Sequence, residues 1–276
     1  MSILHEIAER TKKRVEGQKA ILPLEQIIEM AQPADSSCFP FESAIKTDDI
    51  AFICEIKKAS PSKGIIAEDF HHTCIAKEYE AAGAAAISVL TEPFYFKGHD
   101  RYLREIASEV SIPLLRKDFT VDKYMIYEAK ILGASAVLLI CSILTPKTLT
   151  EYIKIAHSIG LSSLVETHDE NEVDMALNAG ARIIGVNNRC LKTFEVDIGL
   201  SERLRKLVPT NILFVSESGI KTSGDVAKLR GIGANAVLIG ETIMRSANKF
   251  NEILRLQGRF NESRLSGLCD LGRVHV

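Results

Sequence analysis

Gly133-Ala134-Ser135-Ala136-Val137-Leu138-Leu139-Ile140-Cys141 is the stretch on which the fold turns. Its glycine closes an amphipathic segment, at the position after a helix where positive φ is cheap only without a Cβ. The run that follows, Ala136–Cys141, is continuously apolar, the pattern of a strand covered on both faces in a parallel α/β sheet. The same Gly-Ala entry recurs at Gly83-Ala84, Gly180-Ala181 and Gly233-Ala234, at intervals of about 50 residues.

Working outward, further strand-like runs read as Ile50–Ile56, Ala85–Leu90, Ile112–Leu115, Leu161–Val165, Arg182–Val186, Ile212–Val215 and Ala236–Ile239. The four Gly-Ala entries then precede strands two, four, six and eight. Amphipathic stretches lie between the runs, with start signals such as Thr73 and Thr222. Eight strands each followed by a helix, with a repeat of two βα units, predict a (β/α)8 TIM barrel of the α/β class rather than an open sheet. Apolar spacing in residues 1–49 predicts an N-terminal extension of two helices, with Gln32–Ser43 as a loop. Such an extension could cap the barrel bottom or border the active site. The expected organisation is one barrel domain over 1–276, with the extension at 1–49, the barrel at 50–256 and an unassigned tail at 257–276.

Composition narrows the class. The 276 residues are 46% hydrophobic and 25% charged, with net charge −2, so disorder is excluded and a large core is within reach. Lysines and arginines are dispersed, which argues against nucleic-acid and anionic-membrane partners. The first residues carry no signal-peptide core, and no apolar run approaches the roughly 20 residues of a membrane helix. Six scattered cysteines without a C-x-x-C pair suit a reducing compartment, so a cytoplasmic location is expected. Cys54 and Cys141 lie within apolar runs and read as buried thiols.

Chemistry in such barrels sits where strands end. Glu55 and Lys57 share a face at the end of strand one, Lys117 ends strand three and Glu166 follows strand five. Alternate-strand layering brings these four together. Filling a barrel top with charges is a costly way to plug it, so the group reads as functional. It suits proton transfer at a carbonyl and the carbon beside it. A lysine set among other cations and partly desolvated is expected to have a lowered pKa, which makes it a general acid. His71 and His72 read as exposed loop residues, and no metal is expected because no ligand spacing is present. Ser60-Pro61-Ser62-Lys63-Gly64, Ser218-Gly219-Ile220 and Gly240-Glu241 read together as an anion cradle, hence a phosphorylated small-molecule substrate.

Glu55-Ile56-Lys57-Lys58-Ala59-Ser60-Pro61-Ser62 resembles the E-x-K-x-x-S-P-S signature of the indole-3-glycerol phosphate synthase family. The resemblance continues through Leu90-Thr91-Glu92, Leu115-Arg116-Lys117-Asp118-Phe119, Val165-Glu166-Thr167-His168, Asn187-Asn188-Arg189, Glu217-Ser218-Gly219-Ile220 and Gly240-Glu241, in order across roughly residues 1–256. It implies a carboxy-lyase of tryptophan biosynthesis that needs no cofactor. The implied substrate is 1-(2-carboxyphenylamino)-1-deoxyribulose 5-phosphate, converted to indole-3-glycerol phosphate, CO₂ and water.

The resemblance also implies that Lys117 is the general acid on the ketone. Glu55, Lys57 and Glu166 would share the other proton transfers, in a division left open, and Asn187 and Ser218 would complete the catalytic set. Substrate-binding positions carried over are Arg189 and Glu217, with Ser60, Gly219, Gly240 and Glu241 at the phosphate and Phe96, Phe119 and Leu191 as the apolar wall. The expected assembly is a monomer or weak homo-oligomer. Two rivals remain. Phosphoribosylanthranilate isomerase would place a cysteine where strand one has Glu55-Ile56-Lys57, and a non-catalytic barrel would only bind a phosphorylated metabolite.

Overall fold

A computed structural model describes residues 3–31, 38–190 and 193–259. Eight parallel strands close into a barrel: β1 (Ala51–Ile56), β2 (Ala86–Leu90), β3 (Leu114–Lys117), β4 (Ala136–Ile140), β5 (Ser162–Thr167), β6 (Ile183–Asn187), β7 (Leu213–Glu217) and β8 (Ala236–Ile239). β1 closes the ring, pairing Ile53 with Ala86 on one side and Ala51 with Ala236 on the other. All eight expected strands are present. The third begins two residues later than expected and runs on through Arg116 and Lys117. Pro113, which has no N–H to give to a ladder, precedes it, and both charged residues belong to the strand.

Period-two alternation divides the apolar residues into two cores. Ile53, Leu115, Leu138, Leu164, Val215 and Leu238 point into the barrel. Phe52, Ile87, Val137, Val165, Ile184 and Val237 pack outward against the helices. Gly83, Gly133, Gly180 and Gly233 have φ between 78° and 89°, as a repeated helix-ending turn requires. Cys54 and Cys141 are buried free thiols, and burial pushes both upward in pKa.

Among its described residues the extension forms three helices, α1 (Ile3–Ile21), α2 (Leu24–Met30) and α3 (Pro40–Ile45). α3 lies where part of a loop was expected. Pro40 opens it at the first helical position, and Phe41 and Ile45 are fully buried within the barrel-interior cluster, anchors too few to give a readable period. Leu4 and Ile7 of α1 join the same cluster. Further along, Val15 and Ile27 pack on Tyr124 and Met125 of α6 (Tyr124–Ile131). Glu42 of α3 pairs with Arg182, beside the start of β6, at 2.7 Å. The extension therefore does both things proposed for it, with α1 at the mouth and α3 beneath.

The remaining helices are α4 (His72–Ala81), α5 (Asp100–Ala107), α7 (Pro146–Ser158), α8 (Glu170–Asn178), α9 (Gly199–Arg205), α10 (Ser223–Gly231), α11 (Glu241–Arg245) and α12 (Lys249–Leu256). His72 is not an exposed loop residue. It opens α4, lies tilted against Tyr102 at 4.6 Å between ring centroids and meets Glu105 at 2.5 Å. His71 is exposed, as expected. The tail beyond Arg259 lies outside the described residues. Among those described, no helix is long and apolar enough to cross a membrane.

Candidate active site

Odd-numbered strands deliver four charged side chains to one layer at the C-terminal end of the barrel. Lys117 Nζ lies 2.5 Å from Glu217 Oε2 and 3.3 Å from Glu166 Oε2. Glu55 on β1 pairs with Lys57 two residues on. All three glutamates are buried. The electrostatics correct one expectation. Lys117 is ringed by carboxylates, not cations. Burial alone pulls its pKa down, but Glu217, Glu166 and Glu55 together outweigh burial and hold the ammonium charged. The cost falls on Glu217. Burial first, and then the nearby Glu166 and Glu55, push its carboxyl up to about 7 against the pull of Lys117. Glu166 goes the other way, because Lys117 and His168 overcome its burial.

Two inward-facing glycines make room for these carboxylates. A Cβ on Gly240 would collide with Glu55 Oε1, and one on Gly185 would collide with Glu217 Oε1. The Gly240 position, read in sequence as anion-binding, thus has a packing reason of its own. Among the described residues three non-glycines carry positive φ, Lys97, Phe194 and Ser218, and all lie in loops at the mouth. Ser218 (φ 65°) is followed by Gly219 (φ 85°), where a Cβ would strike Val196. Backbone held in sparsely populated regions of this kind clusters at functional sites.

A cavity of about 630 Å³ opens over this layer. It is lined by Glu55, Lys57, Lys117, Glu166, Asn187, Ser218, Ser60, Phe96, Phe119, Arg189, Glu217, Gly219, Gly240 and Glu241, so the expected site residues meet in one space. Leu191 alone among them lies outside the described residues. Phe96 and Phe119 face each other at 6.3 Å. Phe96 is carried by a turn wound around buried Glu92, whose carboxylate accepts the backbone N–H groups of Phe94, Tyr95 and Phe96. Glu241 is engaged by two arginines, at 3.6 Å from Arg189 and 3.1 Å from Arg245.

Sequence reasoning missed several lining residues. Leu4 and Ile7 of α1, Phe194, Val196, Lys221 and Arg245 also line the cavity. A motif does not announce them, because they arrive from a helix before the barrel, from loop interiors and from the end of α11. Glu217 was placed among the binding residues, whereas it is the nearest partner of Lys117. The same odd-strand rule that gathered Glu55, Lys117 and Glu166 would have gathered it too. Among the described residues, no group of three or more His, Cys, Asp or Glu is arranged to hold a metal ion.

The profile of the family described as indole-3-glycerol phosphate synthase matches residues 4–256. The chain is similar to the indole-3-glycerol phosphate synthase of Ruminiclostridium cellulolyticum, at 59% identity over 93% of this chain and 99% of that protein. It is also similar to that of Lachnoclostridium phytofermentans, at 54% identity over 90% and 96%. Among solved structures it resembles the 3-hexulose-6-phosphate synthase of Salmonella typhimurium, with a TM-score of 0.63 at 15% identity over 76% of this chain and 98% of that one. A mutant tryptophan synthase alpha-subunit from Pyrococcus furiosus gives 0.59 at 16% over the same shares. At such identities the likeness to solved structures speaks to the barrel alone.

Proposed function

The chain belongs to the indole-3-glycerol phosphate synthase family, carboxy-lyases of tryptophan biosynthesis, and we propose that the cavity over Lys117 is where it closes the indole ring. The observation that carries this reading is one ammonium held between two buried carboxylates at the floor of a cavity with an aromatic wall.

Lys117 gives its proton to the ketone oxygen of the bound 1-(2-carboxyphenylamino)-1-deoxyribulose 5-phosphate as the ring carbon bearing the carboxylate attacks the ketone carbon. The substrate nitrogen supplies the electron pair for closure and becomes cationic. Loss of CO₂ returns a pair to that nitrogen. The new hydroxyl, protonated, then leaves as water, and a base removes a proton from the carbon beside nitrogen to complete the indole. Each cationic intermediate develops among Glu55, Glu166 and Glu217, which are already in place and desolvated, the condition under which fixed charge contributes most. Glu166 is the base of the last step in this reading, since Lys117 and His168 outweigh its burial and hold it ionised. Lys57, paired with Glu55, faces the same cavity and is the cation for the substrate carboxylate.

The substrate phosphate is assigned to the wall formed by Ser60, Ser218-Gly219 and Gly240-Glu241. What supports this is the commitment of the Glu241 carboxylate to Arg189 and Arg245, which neutralises it before an anion arrives. Asn187, Phe96 and Phe119 hold the anthranilate ring.

Mixing the purified protein with the carboxyphenylamino-deoxyribulose phosphate and following indole fluorescence tests the assignment. Turnover by the parent and a large loss in Lys117→Ala support it. A Lys117→Ala variant with parental turnover would place the acid elsewhere. A parent that binds substrate without turnover would return the chain to the binding-barrel reading.

A further inference from the structure

The two oxygens of Glu166 face different neighbours. Oε2 meets Lys117 on the cavity side, and Oε1 lies 3.4 Å from Nε2 of His168. The imidazole is held from behind, with Nδ1 3.0 Å from Glu172 Oε2 in the first turn of α8. That same oxygen also accepts the backbone N–H of His168 at 2.8 Å. Asp169 caps the helix on the amide of Glu172 and so fixes where Glu172 stands. His168 Nε2 is buried and has no hydrogen bond of ordinary geometry, although it is aimed at Glu166.

His168 and Glu172 do not line the cavity over Lys117. They line a second space of about 990 Å³, which Glu166, Lys117 and Glu217 do not reach. Asn187 and Arg189 border both. His168 therefore stands in the partition, with one ring nitrogen toward each side.

We propose that His168 and Glu172 form a proton relay that joins Glu166 to the second cavity while substrate fills the first. The inference rests on the reading of Glu166 as the base of the final step. After Glu166 has taken a proton from carbon, its Oε1–H passes that proton to His168 Nε2, and the Nδ1 proton of the ring leaves to Glu172 and on to water in the second cavity. The ring starts as the neutral Nδ1–H tautomer and ends as the Nε2–H tautomer; run in reverse, Nε2–H goes back to Glu166 while the bare Nδ1 takes a proton from Glu172, which restores the starting tautomer. No proton is created or lost, and the occupied mouth need not open between proton steps. His168 touches no substrate in this scheme and acts only through Glu166.

The charge environment suits the task. His168 is faced by Glu166 from β5, Glu172 from α8 and Glu217 from β7, while His5, Asp169, Arg189, Glu195, Asp197 and Arg203 line the second cavity with it. Burial lowers the pKa of the ring, but the carboxylates outweigh it and the net direction is upward.

The test uses the full chain and pH profiles of kcat and KM for H168N, E172Q and E166Q, with H168A assayed with and without added imidazole. H168N is expected to lose about tenfold in kcat with KM within twofold, as removal of a proton-transfer partner does. Without the imidazolium, Glu166 is easier to protonate, so the acid limb of kcat moves up by about one pH unit. Imidazole restores kcat to H168A. E172Q keeps the acceptor oxygen for the His168 amide and carries the same test should H168N fail to fold. Without the Glu172 charge the ring pKa falls, so the limb set by the ring moves to lower pH.

The relay is overturned if H168N and E172Q keep the parental pH profile, or if their loss lies in KM alone. It is also overturned if imidazole leaves H168A unchanged. An E166Q variant with parental kcat would instead overturn the assignment of Glu166 itself, and the relay with it, so the two failures are distinguishable.

Discussion

Arg116 and Lys117 are chain neighbours on β3, and strand alternation sends them to opposite faces, each into its own cluster of buried charge. On the outer face Arg116 meets Asp100 and Glu128, both at 2.7 Å, and Asp118 at 3.8 Å. Asp118 takes a second cation, Arg14 of α1, at 2.7 Å and a hydroxyl from Thr91. On the inner face Lys117 and Lys57 meet Glu55, Glu166 and Glu217. Each cluster therefore has two cations and three carboxylates. They differ in what surrounds them. The Arg116 side chain is closed in, its fork completed by the carbonyl of Met125 and the hydroxyl of Thr91. The Lys117 cluster opens on a cavity, and Glu217 Oε1 has no hydrogen-bond partner. The same ionic inventory is a girder where packing closes it in and a reaction centre where it opens on a cavity that a substrate can fill.

The sharpest test of that distinction is a pair of charge removals one residue apart. Lys117→Ala should lower kcat by about 10³-fold or more, since it deletes the acid together with its electrostatic contribution. Its thermal stability should stay within about 1 kcal/mol, because the orphaned carboxylates face a cavity that water can enter. Arg116→Leu should do the reverse. Breaking a buried ion pair from one side costs about 3–5 kcal/mol, so urea denaturation should show a large loss while kcat of the folded fraction falls less than tenfold. If both variants lose mainly activity, the two clusters are one functional unit and the comparison fails.

Much of this was legible in the residues. Continuous apolar runs and the Gly83, Gly133, Gly180 and Gly233 repeat are local signals, and the barrel follows from them. The gathering of Glu55, Lys117 and Glu166 followed from strand parity. What stayed hidden depends on distance in the chain. Nothing near Arg116 indicates that Arg14, Asp100 and Glu128 make up its cluster, since those partners come from three different helices. Nor does Gly185 reveal that its missing side chain leaves room for Glu217. The pKa direction of Lys117 was misjudged for the same reason, because the charges that set it come from three other strands.

Glu217 offers a smaller effect with a defined pH window. Its folded pKa, raised to about 7 chiefly by burial, lies above the unfolded value near 4.3. The folded chain thus binds the extra proton, and the stability this confers is complete below about pH 4 and lost as pH rises through 7. Glu217→Gln keeps the neutral shape. Relative to the parent it should gain on the order of 2 kcal/mol between about pH 4.5 and 7.5 in denaturation midpoints taken across pH. A parallel pair of curves would mean that Lys117 already compensates the carboxylate in full.

The smallest effect lies where the two clusters communicate. Arg14 is mostly buried against Asp118, the residue after Lys117, and α1 carries Leu4 and Ile7 into the cavity wall. Arg14→Met keeps the aliphatic packing but removes one of two cations on Asp118. Because Arg116 and Thr91 still hold that carboxylate, the stability cost should be about 1 kcal/mol, or roughly 2–4 °C in Tm. Asp118 is held below the usual carboxylate range because Arg14 and Arg116 outweigh its burial, so the lost increment is present above about pH 4 and shrinks on acidification. Loosening α1 at this point should raise KM a few-fold and leave kcat unchanged, since no reacting group has moved. A fall in kcat with KM constant would mean instead that the outer network holds Lys117 in register, and that the girder is part of the reaction centre after all.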